Sequence, residues 1–314
     1  MSNRRQWDVL GIGDVDIDLF LSVSHLPQRD EKVVGRLLGE FPGGISANFC
    51  CAASKIGMRA ALIALVGDDR YGEMALTSLH DANVDTDLVI VKPGGQTFFC
   101  VVMLDDSGEK ALTLVVTDCI APRPADIDPE SFGQARLVHL IANDVDDTTW
   151  VAREAKKRGT LVSLDIEPTT TIGVSEAGYR TLLSHVDLAF PNAAGLRSLF
   201  DGDELAGARE ILRLGPKVVV VTMGADGCLV VADDEAIRLP AYTVPVADTT
   251  GAGDCFIGTF VSLYLQNWTV RQCGTYASAA AAISVTKVGS RSALPTLDEI
   301  ERFLAKNGES GKGV

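Results

Sequence analysis

The segment DTTGAGD, at residues 248–254, is the most informative stretch of the chain. It runs directly into an apolar stretch, residues 255–265, whose large side chains recur at helical spacing, so its glycines predict the start of a buried helix. The first amide groups of a helix attract anions, and glycine lets a phosphoryl group approach the main chain. Asp254 then stands beside an anion hole, where a carboxylate can act as the base that takes a proton from an alcohol.

The same turn also has a purely structural explanation. Glycine-rich turns commonly begin helices, and an aspartate in a first helical turn complements the helix dipole. The motif by itself therefore leaves catalysis and helix capping open as alternatives.

The composition limits the class of protein. The chain has 314 residues, of which 46% are hydrophobic and 22% charged, which favours one large α/β domain over residues 1–314. The net charge of -14 argues against a nucleic-acid-binding face, and no apolar run is long enough to span a bilayer. We therefore expect neither nucleic acid nor a membrane among its partners.

The cysteines and histidines argue against disulfides and against a zinc-type centre. The seven cysteines form an odd set without a CxxC pair and lie mostly in apolar runs, which predicts reduced core thiols. The polar start at residues 1–7 has no signal-peptide pattern, so a cytoplasmic location is expected. Cys255 lies on the apolar helix, where a nucleophile is disfavoured, and His139 is interpreted as a core residue.

Short β-rich runs alternate with helical patterns, which predicts a mostly parallel central sheet flanked by helices. Two segments, at about 14–41 and 94–118, are extended pieces with no helix between their strands. We expect them to pair into a small antiparallel sheet that forms a lid over the carboxyl ends of the parallel strands. Strands are predicted at 9–12, 61–66, 137–141, 161–165, 188–190 and 218–222, and helices at 46–56, 71–82, 147–158, 177–185, 193–200 and 204–213.

The turn GIGDVD, at residues 11–16, follows the first predicted strand. A dinucleotide fingerprint needs a third glycine where Asp16 stands, so an NAD-linked dehydrogenase is disfavoured. A carboxylate just past a strand suits two adjacent hydroxyls of a sugar or nucleoside. Asp16 is therefore preferred as a ligand residue over a surface-loop residue, with Asp14 and Asp18 as weaker candidates.

The segment GGISAN, at residues 43–48, opens the next predicted helix with backbone amides and the side-chain amide of Asn48. Alone, a Gly-Gly pair at such a place is mostly a tight turn. Together with Asp16 and the turn at 248–254, it favours a polyol site. The motifs of P-loop enzymes and of protein kinases are absent.

These two segments resemble the signatures of the ribokinase-like (PfkB) carbohydrate kinases, GGISAN the amino-terminal signature and DTTGAGD the carboxyl-terminal one. The resemblance extends over nearly the whole chain. It implies a three-layer ribokinase-like fold with a β-sheet lid. It also implies an enzyme that transfers the γ-phosphate of ATP, with Mg²⁺, to a hydroxyl, preferably a primary one, of a small sugar or sugar derivative.

The resemblance also implies a role for individual residues. Asp254 is the base, and the amides of Gly251, Ala252 and Gly253 form the anion hole. The sugar is surrounded by Asp14, Asp16, Gly43, Gly44 and Asn48. The nucleotide lies against Asn192 and the turn TMGADG, with Thr222, Gly224 and Gly227. A monovalent-cation loop, which makes K⁺ a candidate cofactor, is formed by Asp248 and Thr250 with carbonyls near Ser284, Lys287 and Gly289.

The chain departs from the family pattern at two positions. The family often has a glutamate three residues after the asparagine at 192, where it supports the water shell of Mg²⁺, but Gly195 stands there. Asp165 or Glu167 is a candidate substitute. Many ribokinases carry a lysine where Ile45 stands, so the acceptor need not be ribose.

Two other functions stay open. A nucleoside kinase of the same fold would hold a base with lid residues such as Phe98 and Phe99. A catalytically silent sugar-binding regulator is suggested by Gly195 but disfavoured by the intact Asp254. The exposed edges of a small lid sheet also predict a homodimer.

Overall fold

The computed structural model describes residues 5–106, 110–168, 176–233 and 235–309. The helices in these ranges are α1 (Ile45–Lys55), α2 (Arg70–Asp81), α3 (Val145–Lys157), α4 (Glu176–Leu183), α5 (Ala193–Leu199), α6 (Glu204–Leu214), α7 (Ala252–Leu265), α8 (Val270–Ser284) and α9 (Leu297–Lys306). The strands are β1 (Trp7–Ile12), β2 (Asp16–Val23), β3 (Gly35–Gly43), β4 (Ala60–Ile63), β5 (Leu65–Gly67), β6 (Val84–Asp85), β7 (Ile90–Lys92), β8 (Phe99–Asp105), β9 (Lys110–Val115), β10 (Ala135–Ile141), β11 (Leu161–Ile166), β12 (Leu188–Pro191), β13 (Val218–Thr222), β14 (Cys228–Ala232) and β15 (Glu235–Leu239).

Each predicted helix and strand forms within two residues of its expected bounds, except the run 61–66. That run divides at Ala64 into β4, which pairs with β1 and β6 in the central sheet, and β5, which pairs with β7. Helix α3 begins earlier than the pattern predicts because the side chain of Asp144 accepts hydrogen bonds from the amides of Asp146 and Asp147, at 2.9 and 3.0 Å.

The central sheet has the strand order β15-β14-β13-β12-β11-β10-β1-β4-β6 in the described residues. Neighbours from β6 to β13 are parallel, and β14 and β15 extend one edge in antiparallel fashion. Val218 and Val220 pack with side chains of α1, α7 and α8, whereas Val219 and Val221 pack with those of α3, α4 and α6. Both faces are thus covered by helices, which confirms the predicted three-layer architecture.

The packing of α1 against α7 brings the two signature segments together. Gly258, one turn after Asp254, lies so close to α1 that a Cβ there would be 2.8 Å from both the Cβ of Ala52 and the carbonyl oxygen of Phe49. This close approach places the amino-terminal turns of the two helices side by side. The site described below is therefore fixed by helices buried in the core.

The two segments predicted for the lid pair into a separate small sheet, here called the lid, with the order β3-β2-β8-β9. Its outer pairs are antiparallel, but the central pair β2–β8 is parallel, so the expectation of an antiparallel sheet is wrong at this pair. The sheet consists of two antiparallel pairs, β2–β3 and β8–β9. Strands β2 and β8 lie side by side and run in the same direction, so the pair that joins the two halves is parallel. The tip of the β8–β9 turn, residues 107–109, lies outside the described residues.

All seven cysteines are buried and unpaired, as predicted. His139 is a core residue: it donates to or accepts from Ser163 Oγ at 2.8 Å and stacks on Phe49, and burial lowers its pKa to about 3. No helix in the described ranges has the length and apolar character needed to cross a membrane.

Candidate active site

The turn before α7 has the geometry that its glycines predict. Gly251 adopts a left-handed φ of 76°, and a Cβ there would lie 2.6 Å from the Cβ of Ser290. At Gly253, a Cβ would have no atom of another element within 4 Å, so this side of the turn is open. The amide of Ala252 donates to the carbonyl of Thr249 at 3.3 Å, a long contact. An anion can therefore approach the turn from the Gly253 side.

Asp254 lies in the first turn of α7 and is 7% exposed. Asn48 Nδ2 donates to its Oδ2 at 2.8 Å. Burial raises the pKa of Asp254 well above its usual range; the bond from Asn48 and the cation of Arg291 oppose this rise, and the carboxylates of Glu167 and Asp14 add to it. A carboxylate with a raised pKa is a stronger proton acceptor, as a base for an alcohol requires.

Asn48 is held by two donors on its other side. Its Oδ1 accepts from Ser290 Oγ at 3.1 Å and from Arg291 Nε at 2.8 Å. Arg291 was not singled out from the sequence; the signal would have been an arginine two residues after the segment 284–289. The two signature segments and the loop after α8 thus meet at one side-chain amide.

Asp14 is engaged by the main chain of α1. Its Oδ2 accepts from the amide of Ile45 at 3.2 Å and its Oδ1 from the amide of Ser46 at 3.1 Å. Gly44 precedes these residues as the first, non-helical position of α1. Asp14 therefore caps α1, and a contact with sugar would use lone pairs that these bonds leave over.

Asp16 and Asp18 form a buried carboxylate pair on β2, 5% and 4% exposed. Asp16 Oδ2 accepts from Cys100 Sγ at 3.3 Å, while its Oδ1 has no hydrogen-bond partner in the described residues. A Cβ at Gly43 would lie 2.2 Å from Asp16 Oδ1 and 2.7 Å from Asp18 Oδ2. Glycine at position 43 thus makes the space for both carboxylates, and the free oxygen of Asp16 suits hydroxyl donors.

The pKa values of this pair are raised. For Asp16, burial and then the charges of Asp18 and Asp14 raise the pKa well above its usual range. For Asp18, burial raises the pKa to about 6. Desolvated carboxylates that accept so few hydrogen bonds are stabilised when a ligand supplies hydrogen-bond donors.

The residues predicted for the nucleotide lie at the carboxyl ends of two neighbouring strands. Asn192 follows β12 and is joined to Thr222, the last residue of β13, by a parallel bridge. Asn192 Oδ1 accepts from the amide of Gly195 at 2.7 Å and so caps α5. Gly224 begins a short 3-10 turn that ends at Gly227, and a Cβ at Gly224 would meet no atom within 4 Å. The structure brings these four residues to the carboxyl ends of β12 and β13, where the turn is open at Gly224.

Asp248 connects the two segments of the predicted cation loop by hydrogen bonds. Its Oδ1 accepts from the amide of Thr250 at 3.0 Å and its Oδ2 from the amide of Gly289 at 3.0 Å. Burial raises the pKa of Asp248, but these bonds outweigh it and lower the pKa below its usual range. Ser284 is the last residue of α8, and Lys287 lies on the segment between Ser284 and Gly289. Lys110 of the lid, not singled out from the sequence, donates to Thr250 Oγ1 at 3.0 Å and lies 3.5 Å from Asp248 Oδ1.

The structure explains why position 195 carries no glutamate. A Cβ at Gly195 would lie 2.3 Å from the carbonyl oxygen of Ile166, so the strand end of β11 occupies the place of a side chain. Asp165 and Glu167 flank Ile166, and burial, followed by their mutual repulsion, raises the pKa of Asp165 well above its usual range. Carboxylates that repel each other in this way are typical ligands or water-shell partners of Mg²⁺.

Cys255 is 1% exposed, and burial raises its pKa to about 12, so a reactive thiolate is not available there.

Comparison with known proteins identifies relatives that match nearly the whole chain. The model of the pfkB family of carbohydrate kinases matches residues 7–297. A protein of Halopiger xanaduensis named ATP-dependent ribose-1-phosphate kinase is 32% identical over 301 residues, covering 95% of this chain and 98% of the relative. A nucleoside kinase of Methanothermobacter thermautotrophicus is 26% identical over 96% of this chain and 97% of its own length. A crystal structure of a ribokinase of Thermotoga maritima superposes with a TM-score of 0.82 at 26% identity, covering 95% of this chain and 99% of that one.

Proposed function

Because the chain belongs to the pfkB family of carbohydrate kinases, we propose that it transfers the γ-phosphate of ATP to a hydroxyl, preferably a primary one, of a pentose or pentose derivative. The comparisons make it a sugar or nucleoside kinase, and the named relatives act on pentoses or nucleosides in several cases. The observation that carries the proposal is the buried, Asn48-bound Asp254 beside the open glycine turn.

In this mechanism Asp254 accepts the proton of the acceptor hydroxyl, since its raised pKa makes it a stronger base than an exposed aspartate. The amides of Gly251, Ala252 and Gly253 face the phosphoryl group and stabilise its developing charge. The unpartnered oxygen of Asp16 accepts from hydroxyls of the sugar ring, with Gly43, Gly44 and Asn48 nearby. Together these contacts orient one hydroxyl toward the phosphoryl group.

ATP is proposed as the donor because the relative from Halopiger is named as ATP-dependent. Its phosphates would lie against Asn192, Thr222 and the turn from Gly224 to Gly227, which is open at Gly224. Mg²⁺ neutralises charge on the phosphates when bound. Asp165 and Glu167 would hold it or its water shell, and Glu167→Gln is expected to weaken the binding of Mn²⁺ in the presence of nucleotide, measured by electron paramagnetic resonance.

The test measures ATP consumption with ribose, ribose 1-phosphate, deoxyribose, hexoses and nucleosides as acceptors. The wild type is compared with Asp254→Asn and with Asp146→Asn, which makes the same change in the first turn of α3 at an exposed position. Loss of a base is expected to lower kcat by about 10²–10⁴-fold in Asp254→Asn only. A wild type without turnover on any acceptor contradicts the proposed function, and an active Asp254→Asn contradicts the role of Asp254.

A nucleoside acceptor is the second candidate because the lid offers aromatic side chains. Phe99 lies 5.7 Å from Tyr71 between ring centroids, whereas Phe98 is buried at 4% exposure and less accessible. If a nucleoside is the acceptor, Phe99→Ala should raise its KM more than the KM of free ribose, since base stacking is lost.

A monovalent cation at the loop of Asp248, Thr250, Ser284, Lys287 and Gly289 is also proposed. The support is the Asp248 carboxylate, which holds this loop together. Rates in K⁺ that equal those in tetramethylammonium would contradict it.

We further propose a homodimer formed through the lid and a cytoplasmic location. Leu37 on β3, and Leu112 and Leu114 on β9, are 55%, 48% and 50% exposed on the edge strands of the lid sheet. Burial of such side chains and pairing of such edges stabilise a second copy. Light scattering should give twice the mass of 33.3 kDa, and less for Leu114→Lys. The unpaired cysteines support a reducing compartment.

A further inference from the structure

Arg291, in the loop between α8 and α9, ties three separate elements together at the edge of the site. Its Nε donates to Asn48 Oδ1 on α1 at 2.8 Å, its Nη1 donates to Ser78 Oγ on α2 at 3.1 Å, and its Nη2 donates to the carbonyl of Gly43 at the end of β3. The planar guanidinium fixes these donors in directions that a flexible ammonium does not reproduce. The loop after α8 is thus joined to the amino-terminal signature.

These contacts determine which way the amide of Asn48 points. Its oxygen faces two donors, Arg291 Nε and Ser290 Oγ, so its nitrogen faces Asp254 Oδ2 at 2.8 Å. In the flipped orientation, the amide nitrogen would face the Arg291 donor and the amide oxygen would face the Asp254 carboxylate. Both of these hydrogen bonds would be lost, so the observed orientation is strongly preferred.

We infer that Arg291 is a positioning residue for phosphoryl transfer, which holds the Asn48 amide in the orientation that donates to the Asp254 carboxylate. The inference rests on the proposed function of Asp254. Arg291 acts on Asp254 through Asn48 and also contacts the Gly43 carbonyl. It does not itself contact the reacting atoms in this proposal.

The charges around Asp254 predict how the loss of Arg291 changes the pH dependence of kcat/KM. The titratable groups that face Asp254 are the carboxylates of Asp14, Asp165 and Glu167, and the cation of Arg291 opposes them. Without Arg291, burial and the three carboxylates act with less opposition, so the pKa of Asp254 rises further. A base works only when unprotonated, so the acidic limb of kcat/KM moves to higher pH.

The test compares Arg291→Met, Arg291→Lys and Ser78→Ala by pH profiles of kcat and kcat/KM. Arg291→Met should lower kcat by about tenfold to a hundredfold, because a misplaced catalytic group costs that much. Its acidic limb should move up in pH, and Arg291→Lys should return the limb toward that of the wild type by restoring the charge. Ser78→Ala, which removes only the contact to α2, should stay within about twofold of the wild type.

A double-mutant cycle separates positioning from a general structural effect. If Arg291 acts through Asn48, Arg291→Met should cost less than about threefold in an Asn48→Ala background. Equal costs in both backgrounds, or a pH profile of Arg291→Met that matches the wild type, would overturn the inference. A ¹³C carboxyl titration of Asp254, assigned with Asp254→Asn, measures the same pKa rise without turnover. That titration tests Arg291 even if no acceptor is found and the proposed function fails.

Discussion

The proposed acceptor side and the proposed nucleotide side of the site are built differently. On the acceptor side, Asp16, Asp18, Asn48 and Asp254 are at most 7% exposed. On the nucleotide side, Asn192 and Thr222 are half-buried strand-end residues joined by a main-chain bridge, and the turn at Gly224 faces open space. In the proposed function, the acceptor is thus recognised by desolvated charge, and the nucleotide by main-chain geometry that tolerates substitution better.

Among the substitutions that leave Asp254 in place, the largest effect should come from Gly43→Ala on the acceptor side. The new Cβ would lie 2.2 Å from Asp16 Oδ1, and because this atom ends a side chain, the carboxylate can turn away while the fold survives. Displacing it by about 1 Å should lower kcat/KM for the acceptor by about a hundredfold, with the KM of ATP unchanged. Steady-state kinetics check this against Gly133→Ala, where the nearest atom would be 3.7 Å away. Equal losses for both variants, or for both substrates, would contradict the comparison.

A smaller loss is expected for Asp16→Asn. Asparagine keeps the size but removes the charge that hydroxyl donors meet, so the KM of the acceptor should rise about tenfold to a hundredfold. An acceptor that lacks one of the two adjacent hydroxyls should show a much smaller difference between wild type and variant. If the deoxy acceptor suffers the same loss, Asp16 does not contact that hydroxyl.

Asp18 should reveal the cost of buried charge as a dependence of stability on pH. Burial raises its pKa to about 6, so the folded protein loses stability as the pH rises through this value, and the carboxyl costs nothing below its unfolded pKa. Asp18→Asn should therefore raise the melting temperature at pH 8, by about 2–4 °C, and not at pH 4. Differential scanning calorimetry at both values measures this.

Asp248 provides the matched contrast of opposite sign. Its hydrogen bonds outweigh burial and lower its pKa, so its stabilisation is present at neutral pH and is lost as the pH falls through the folded value. Asp248→Asn should lower the melting temperature at pH 8, with a smaller loss at low pH. A higher melting temperature for Asp248→Asn, or a lower one for Asp18→Asn, at pH 8 would contradict the opposite effects on stability expected for these two carboxyls.

The sequence was sufficient where the structure depends on local patterns. The run Val218–Thr222 is a strand with its predicted bounds because alternate valines face the two helix layers. The glycine turn before α7 was recognised because it needs a residue with left-handed backbone angles, and Gly251 can adopt them. The segments 43–48 and 248–254 also resemble known signatures, which identified most of the candidate site.

Contacts between distant residues could not be predicted in this way. Arg291 lies 243 residues from Asn48 and Lys110 lies 140 residues from Thr250, and no periodicity relates such pairs. The parallel pairing of β2 with β8 likewise joins two segments that lie far apart in the sequence. The hydrogen bonds from the first amides of α1 to Asp14 could not be predicted either, because they depend on how the chain folds between β1 and α1.

The smallest effects should occur on the nucleotide side, at Asn192. Asn192→Ala removes the cap on the Gly195 amide, which costs about 1 kcal/mol of stability, and should raise the KM of ATP only about threefold. Asn192→Asp keeps the capping oxygen, so the melting temperature should stay near that of the wild type. Its added negative charge would face the proposed phosphates, so the KM of ATP should rise more than in Asn192→Ala, most at low salt. The KM of the acceptor should not change in either variant, and a large change there would mean that the two sides of the site are not independent.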